Sequence, residues 1–149
     1  MNNFAIIEND RVSNVIVSHT TPPGVTSVEI EGGQVSKGWG YTGSTFYEPL
    51  YYNVGAEDLN ISGSDTISLS LNRSLSNTLD SGSYNCGSHI VISNFIHDNV
   101  DNTITFTATT ASHATISSEA IFEFNNNLTD TLGYEWGLSP FTITVQETK

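Results

Sequence analysis

Histidine is the residue type in this chain best suited to metal binding or acid–base catalysis, and four are present: His19, His89, His97 and His113. No two of them are spaced as H-x-H or H-x-x-x-H, the local spacings that bring two imidazoles to one metal. His89 and His97 bracket one expected strand, and that length of extended chain separates them by roughly 26 Å. We therefore expect no metal site formed by these two residues, and no cofactor.

The serines, the carboxylates and the single cysteine also lack a recognisable catalytic pattern. No G-x-S-x-G nucleophile elbow occurs, and Glu57 and Asp58 are expected to be solvated. A Ser/His/Asp set can be chosen from any chain rich in these residues, so its presence is uninformative. Cys86 excludes an intrachain disulfide and is expected to be a small buried side chain. These patterns favour a protein that is not an enzyme.

Aromatic residues provide the remaining candidate sites. Tyr and Trp dominate the energetics of protein interfaces, and we expect Tyr47, Tyr51 and Tyr52 to form a docking surface. Tyr134 and Trp136 lie in the glycine-flanked segment 133–137, which could present a ring to a sugar ligand. The alternative, which we favour for Trp136, is packing at the end of a strand.

The charge balance argues against several partner classes. Sixteen acidic residues against four basic ones give a net charge of −12. A basic footprint for nucleic acid is absent, and the same excess of acid disfavours an anionic membrane surface. The sequence also lacks an apolar run long enough to span a bilayer and a basic segment at its start. We expect synthesis in a cytoplasm without a Sec-type signal.

Residues 1–49 are predicted to form a small β-meander. Two strands flank Asn9 and Asp10, which tolerate the positive φ of a tight hairpin turn. A proline-containing break and a third strand follow. A turn centred on Gly43 is then expected to bring the rings of Tyr41 and Phe46 together across a hairpin. Trp39 and Phe46 are expected in the core of this module.

Two segments of this module carry a family resemblance. Residues 4–17 read Phe-Ala-Ile-Ile-Glu-Asn-Asp-Arg-Val-Ser-Asn-Val-Ile-Val, and residues 38–49 read Gly-Trp-Gly-Tyr-Thr-Gly-Ser-Thr-Phe-Tyr-Glu-Pro. They resemble small N-terminal modules of bacteriophage tail proteins, which open with A-x-I-E-N-G-x-V-x-N-V-I-V and close with G-W-x-Y-D-G-x-T-F-x-x-P. The chain departs from this pattern at Asp10, where the family has Gly, and at Thr42, where it has Asp.

The resemblance covers about the first third of the chain and implies an attachment module followed by an exposed β-domain. It implies a non-enzymatic structural protein of a virion, in the tail fibre or baseplate, assembled in the host cytoplasm. Its partners would be other virion proteins and further copies of this chain. A capsid decoration or cement protein is one alternative. A carbohydrate-binding module for a host-surface glycan is the other.

The rest of the chain is predicted to be a connector over 50–60 and an antiparallel β-sandwich over 61–149, immunoglobulin-like or jelly-roll. Three segments alternate apolar and polar residues with the period of a half-buried strand. They centre on Leu69, Phe106 and Ile143. Residues 89–96 and 120–124 add two strands, the first of them expected to be more central, and residues 98–102 are expected to form a hairpin loop. The predicted fold class is all-β.

Overall fold

The computed structural model describes residues 1–31, 35–55 and 59–147. The chain divides into two compact units, Met1–Pro49 and Leu50–Lys149. Throughout the described residues the regular structure is β-strand, and no α-helix occurs. The all-β class expected from the sequence is confirmed.

The first unit is a five-stranded antiparallel sheet. Hydrophobic side chains from its first hairpin, Phe4, Ala5, Ile6 and Val12, form its buried core. The sheet order is β3-β1-β2-β4-β5. The strands are β1 (Asn2–Glu8), β2 (Arg11–Ser18), β3 (Thr26–Ile30), β4 (Gly40–Tyr41) and β5 (Phe46–Tyr47).

Turn chemistry explains both tight turns of this sheet. Asn9 and Asp10 have φ values of 51° and 59°, the pair of left-handed conformations that a two-residue hairpin loop requires. Gly43, at φ 93°, lies in the second turn. The rings of Tyr41 and Phe46 then pair across β4 and β5 with centroids 4.6 Å apart. Both sequence predictions are confirmed.

The late segment of the first unit is hydrogen-bonded to the early hairpin. The Val12 N–H donates to the Trp39 carbonyl, and the Gly38 N–H donates to the Val12 carbonyl, each at 2.8 Å. The Tyr41 N–H donates to the Asp10 carbonyl at 2.9 Å. Trp39 and Phe46, which were expected in the core of this module, are both half-buried. A unit of this size has little interior in which to enclose a large ring.

The second unit is a β-sandwich with two four-stranded sheets of order β10-β11-β8-β6 and β7-β15-β12-β9, and a small β13–β14 pair. The segment expected to be a connector contributes β6 and the start of β7. The strands are β6 (Tyr52–Val54), β7 (Asn60–Ser62), β8 (Ser64–Leu71), β9 (Tyr84–Asn85), β10 (Ile90–Asp98), β11 (Thr103–Thr110), β12 (Glu119–Phe124), β13 (Leu128–Thr129), β14 (Glu135–Trp136) and β15 (Phe141–Glu147).

Alternating side chains from both sheets fill the space between them. The apolar positions of β8 and β11 are buried and the intervening positions are more exposed, as the period-two pattern predicts. Phe122 lies at the centre, fully buried. Its ring is 5.0 Å from Phe106, 4.9 Å from Phe141 and 5.1 Å from Tyr84 between centroids. These contacts join the two sheets through aromatic packing.

Strand β10 lies at one end of its sheet order, so the expectation that it would be more central is wrong. Part of its apolar run lies on the outer face and is exposed to solvent: Val91 is 55% exposed and Ile96 is 61% exposed. Residues 98–102 link β10 to β11 as the expected hairpin loop, with Asn102 at φ 60°. A continuous apolar stretch therefore did not indicate burial on both faces.

Strand β15 pairs with two partners in opposite senses. It is antiparallel to β12 and parallel to β7, with Thr144 opposite Asn60 and Val145 opposite Ile61. The sandwich is thus mixed in this sheet, where a purely antiparallel arrangement was expected. Because β15 lies between β7 and β12, it joins a strand from the start of the second unit to a strand from its middle.

Candidate functional site

The three tyrosines expected to form a docking surface have different environments. Tyr47 lies in β5 of the first unit and is half-buried. In the second unit, Tyr51 is 43% exposed. Tyr52 packs inward, with its ring centroid 5.7 Å from that of Phe141, and its hydroxyl donates to the Ser139 carbonyl. Burial raises the pKa of Tyr52. Of Tyr51 and Tyr52, Tyr51 is the more accessible to a partner.

Tyr51 borders an open groove of about 340 Å³ on the second unit. Strand β6 lies at the end of its sheet order, beside this groove. An end strand with an adjacent groove and an exposed aromatic is an arrangement that protein partners use, since tyrosine supplies contact area at low entropic cost. The groove is lined by Leu50, Tyr51, Tyr52, Gly137, Leu138 and Ser139.

Tyr134 and Trp136, the candidates for ligand stacking, are buried around a carboxylate. Tyr134 is 9% exposed and Trp136 is 7% exposed. The Trp136 indole N–H donates to Asp130 Oδ2 at 2.8 Å, and the Arg73 Nε–H donates to the same oxygen at 2.9 Å. The Arg73 guanidinium lies 5.5 Å from the Trp136 ring centroid, within cation–π distance. Trp136 therefore presents no free ring face to a sugar, and its packing role explains its position.

Asp130 organises the loop that carries these residues. Its Oδ1 accepts hydrogen bonds from the Leu132 and Tyr134 N–H groups, each at 3.0 Å. Burial acts to raise the pKa of Asp130, but the hydrogen bonds from Trp136 and Arg73 outweigh it and hold that pKa below its usual value. Asp130 is fully buried and ionised, with donors at both oxygens. It stabilises structure and offers no accessible carboxylate for catalysis.

His97 is buried and held in one tautomer. The Leu79 N–H donates to its Nδ1 at 2.9 Å, so the proton of the neutral ring is on Nε2. Nε2 itself is buried, with no hydrogen-bond partner among the described residues. Burial lowers the pKa of His97, and the charge of neighbouring Asp98 opposes that effect. This hydrogen bond from Leu79 links the segment before β9 to strand β10.

We expect the stability of the second unit to fall as the pH drops below about 6.5, the usual pKa of histidine. The unfolded chain binds the proton more readily than the folded chain, because His97 has a lowered pKa when folded. Its contribution is therefore complete above that pH and is lost as the pH falls towards the folded value. The free energy of unfolding changes with pH by at most about 1.4 kcal/mol per pH unit when one proton is involved.

The measurement is urea unfolding at several pH values between 7.5 and 5.5. His97→Gln should be less stable than the unaltered chain at pH 7.5 and should show a smaller pH dependence. His19→Gln is the matched control, because His19 is exposed and lies in the first unit. An unchanged pH dependence in His97→Gln would contradict the prediction.

Cys86 and the metal-ligating side chains are the remaining groups that could do chemistry. Burial raises the pKa of Cys86 to about 11, so its thiol is protonated and unreactive near neutral pH. No group of three or more His, Cys, Asp or Glu side chains within residues 1–31, 35–55 and 59–147 is arranged to hold a metal ion. Across the same residues, no helix is long and apolar enough to span a membrane.

The fold defines the class: an all-β chain of two units, the second a β-sandwich with an aromatic core. No protein-family model, no curated protein and no solved structure matches the chain.

The sequence did not reveal the Asp130–Arg73 pair or the packing of Trp136 against it. The two charged residues are separated by 57 positions, and no local motif links them. The available signal was weak: Arg73 is one of only four Lys and Arg residues in the sequence, and it follows β8 between Asn72 and Ser74.

Proposed function

We propose that this chain is a non-enzymatic structural protein of a bacteriophage virion, in the tail fibre or baseplate region. The first unit attaches it to the particle. The second unit makes assembly contacts with other virion proteins or with further copies of the chain. This function depends on contacts between proteins and uses no chemical step.

One observation carries the proposal. The opening and closing segments that resemble phage tail modules fold onto each other as a single sheet, through the hydrogen bonds from Val12, Gly38 and Tyr41. Asp10, which replaces the family's glycine, adopts the left-handed conformation that glycine would supply at this turn. The departure from the family pattern is therefore compatible with the same hairpin.

The groove beside Tyr51 supports an assembly role for the second unit. Its lining includes leucine and tyrosine side chains, among them Tyr52 at the start of the end strand β6. The net charge of −12 favours a partner surface that carries basic groups. Burial of Trp136 removes the residue on which a glycan-binding role for the 133–137 loop depended.

The test is cryo-electron microscopy of purified particles of the phage that encodes this chain. Density for the two units at the tail fibre or baseplate is the expected result. A regular lattice of the chain over the head would replace the proposal with the capsid decoration alternative. Absence from the particle would overturn both assignments.

We further expect Tyr51→Glu to reduce incorporation into particles at least about tenfold, as loss of an interface hot spot does. The change adds a charge to the groove while the side chain stays exposed, so folding should be retained. Val100→Glu is the control, because Val100 is 89% exposed in the β10–β11 loop. Quantitative immunoblotting of particles measures the effect, and equal incorporation of both variants would exclude the groove as a contact.

A further inference from the structure

Two histidines that are distant in sequence meet at one end of the β10–β11 hairpin. His89 immediately precedes β10, and His113 follows β11, and their ring centroids lie 5.4 Å apart. The Ala111 N–H donates to the His89 carbonyl at 2.9 Å, which extends the ladder to this point. The Ala114 N–H then donates to the Ala111 carbonyl at 3.0 Å and forms the turn that carries His113.

This separation matches two imidazoles bound to one metal ion. A zinc–nitrogen bond of about 2.0 Å places the metal roughly 3 Å from each ring centroid, so tetrahedral coordination separates the centroids by about 5 Å. The ring planes are tilted by 43°, so the rings are not stacked face to face. The spacing is already close to what coordination requires.

The hydrogen bonding of His89 also suits a residue that binds a metal ion. Its Nδ1 is buried and has no hydrogen-bond partner among the described residues. A buried polar atom without a partner is costly, and a metal bond to that nitrogen would remove the cost. His113 is exposed on its turn, so its ring can reorient towards the ion without disturbing the core.

We propose that His89 and His113 form an open two-imidazole site for a divalent ion of the zinc, nickel or copper class. Imidazole prefers these ions over magnesium and calcium. No third His, Cys, Asp or Glu side chain of the described residues completes the site, so water occupies the other coordination positions. Binding links the start of β10 to the 111–114 turn and stabilises the second unit, because the ion binds the folded chain. The site is independent of the virion assignment.

The experiment is isothermal titration of the purified full chain with ZnCl₂ and with NiCl₂, with MgCl₂ as the hard-ion control. We expect one Zn²⁺ per chain and no comparable binding of Mg²⁺. His113→Ala should weaken Zn²⁺ binding at least about tenfold, since one of two protein ligands is lost. His19→Ala, an exposed histidine of the first unit, should bind Zn²⁺ like the unaltered chain.

A second readout separates this site from weak binding to the acidic surface. Saturating Zn²⁺ should raise the unfolding temperature of the unaltered chain and of His19→Ala, and should raise it less in His113→Ala. Since His113 is exposed on a turn, its replacement leaves the core intact and the comparison remains interpretable. Zn²⁺ affinity and stabilisation that are the same in His113→Ala as in the unaltered chain would overturn the proposal.

Discussion

Asp130→Ala is expected to destabilise the second unit by about 3–5 kcal/mol, the usual result of removing one partner from a buried ion pair. The change removes the acceptor for two backbone N–H groups, for the Trp136 indole and for Arg73. Water has little access to the centre of this cluster, since Asp130 is fully buried and the Arg73 side chain is only 16% exposed. Urea unfolding monitored by tryptophan fluorescence measures the loss.

Asp98→Ala is the matched control. Asp98 Oδ1 also accepts two backbone N–H groups, from Val100 and Asp101, but at an exposed position. Water can replace those bonds, so we expect a much smaller loss than for Asp130→Ala. Similar losses of stability in the two variants would show that the contribution of Asp130 to stability does not depend on its burial.

The lowered pKa of Asp130 predicts a further loss of stability at pH values below those at which histidine titrates. Its pKa is lower in the folded chain than in the unfolded chain, so the folded state binds fewer protons there. The stability that it contributes is complete above the ordinary Asp pKa of about 3.9 and is lost as the pH falls through the folded value. The Asp130→Ala variant should therefore lose less stability than the unaltered chain between pH 5 and pH 2.

Phe122→Ala is expected to cost about 3–5 kcal/mol, because deletion of a fully buried aromatic ring leaves a cavity as well as losing apolar burial. Phe122 contacts aromatic rings from both sheets, so the change weakens the packing between them. The first unit has its own core and should be unaffected. Hydrogen exchange followed by mass spectrometry would resolve the two units separately.

Ile121→Ala is the neighbour in the same strand and provides the control. Its side chain points to the opposite face and is 56% exposed, so its replacement should change stability by no more than about 0.5 kcal/mol. Accelerated exchange in the first unit of Phe122→Ala would contradict the independence of the two cores. Equal effects of the two substitutions would contradict the central role of Phe122.

Local features of this fold were predictable because local chemistry determines them. The positive φ of Asn9 and Asp10 follows from side chains that tolerate it. The buried positions of β8 and β11 follow from alternation, and the Tyr41–Phe46 contact follows from the turn at Gly43. In each case the residues involved lie within a few positions of one another.

Strand order and the buried polar cluster were not predictable in the same way. The apolar run of β10 is compatible with a central or an end strand, since periodicity does not specify neighbours. The approach of His89 to His113 depends on the β10–β11 pairing, and no spacing within either segment encodes it. Trp136 likewise packs against Arg73, which comes from a distant segment of the chain. Pairing between distant segments determines these environments.

The position of β15 has a consequence during protein synthesis. The first sheet pairs residues within 2–47, so it can form while the ribosome is still adding the rest of the chain. The sheet containing β7 cannot close until residues 141–147 have emerged, because β15 fills the place between β7 and β12. A nascent chain that stops before this strand therefore carries a folded first unit joined to an incomplete sandwich with an exposed aromatic interior. Folding of the second unit thus depends on translation reaching its last strand.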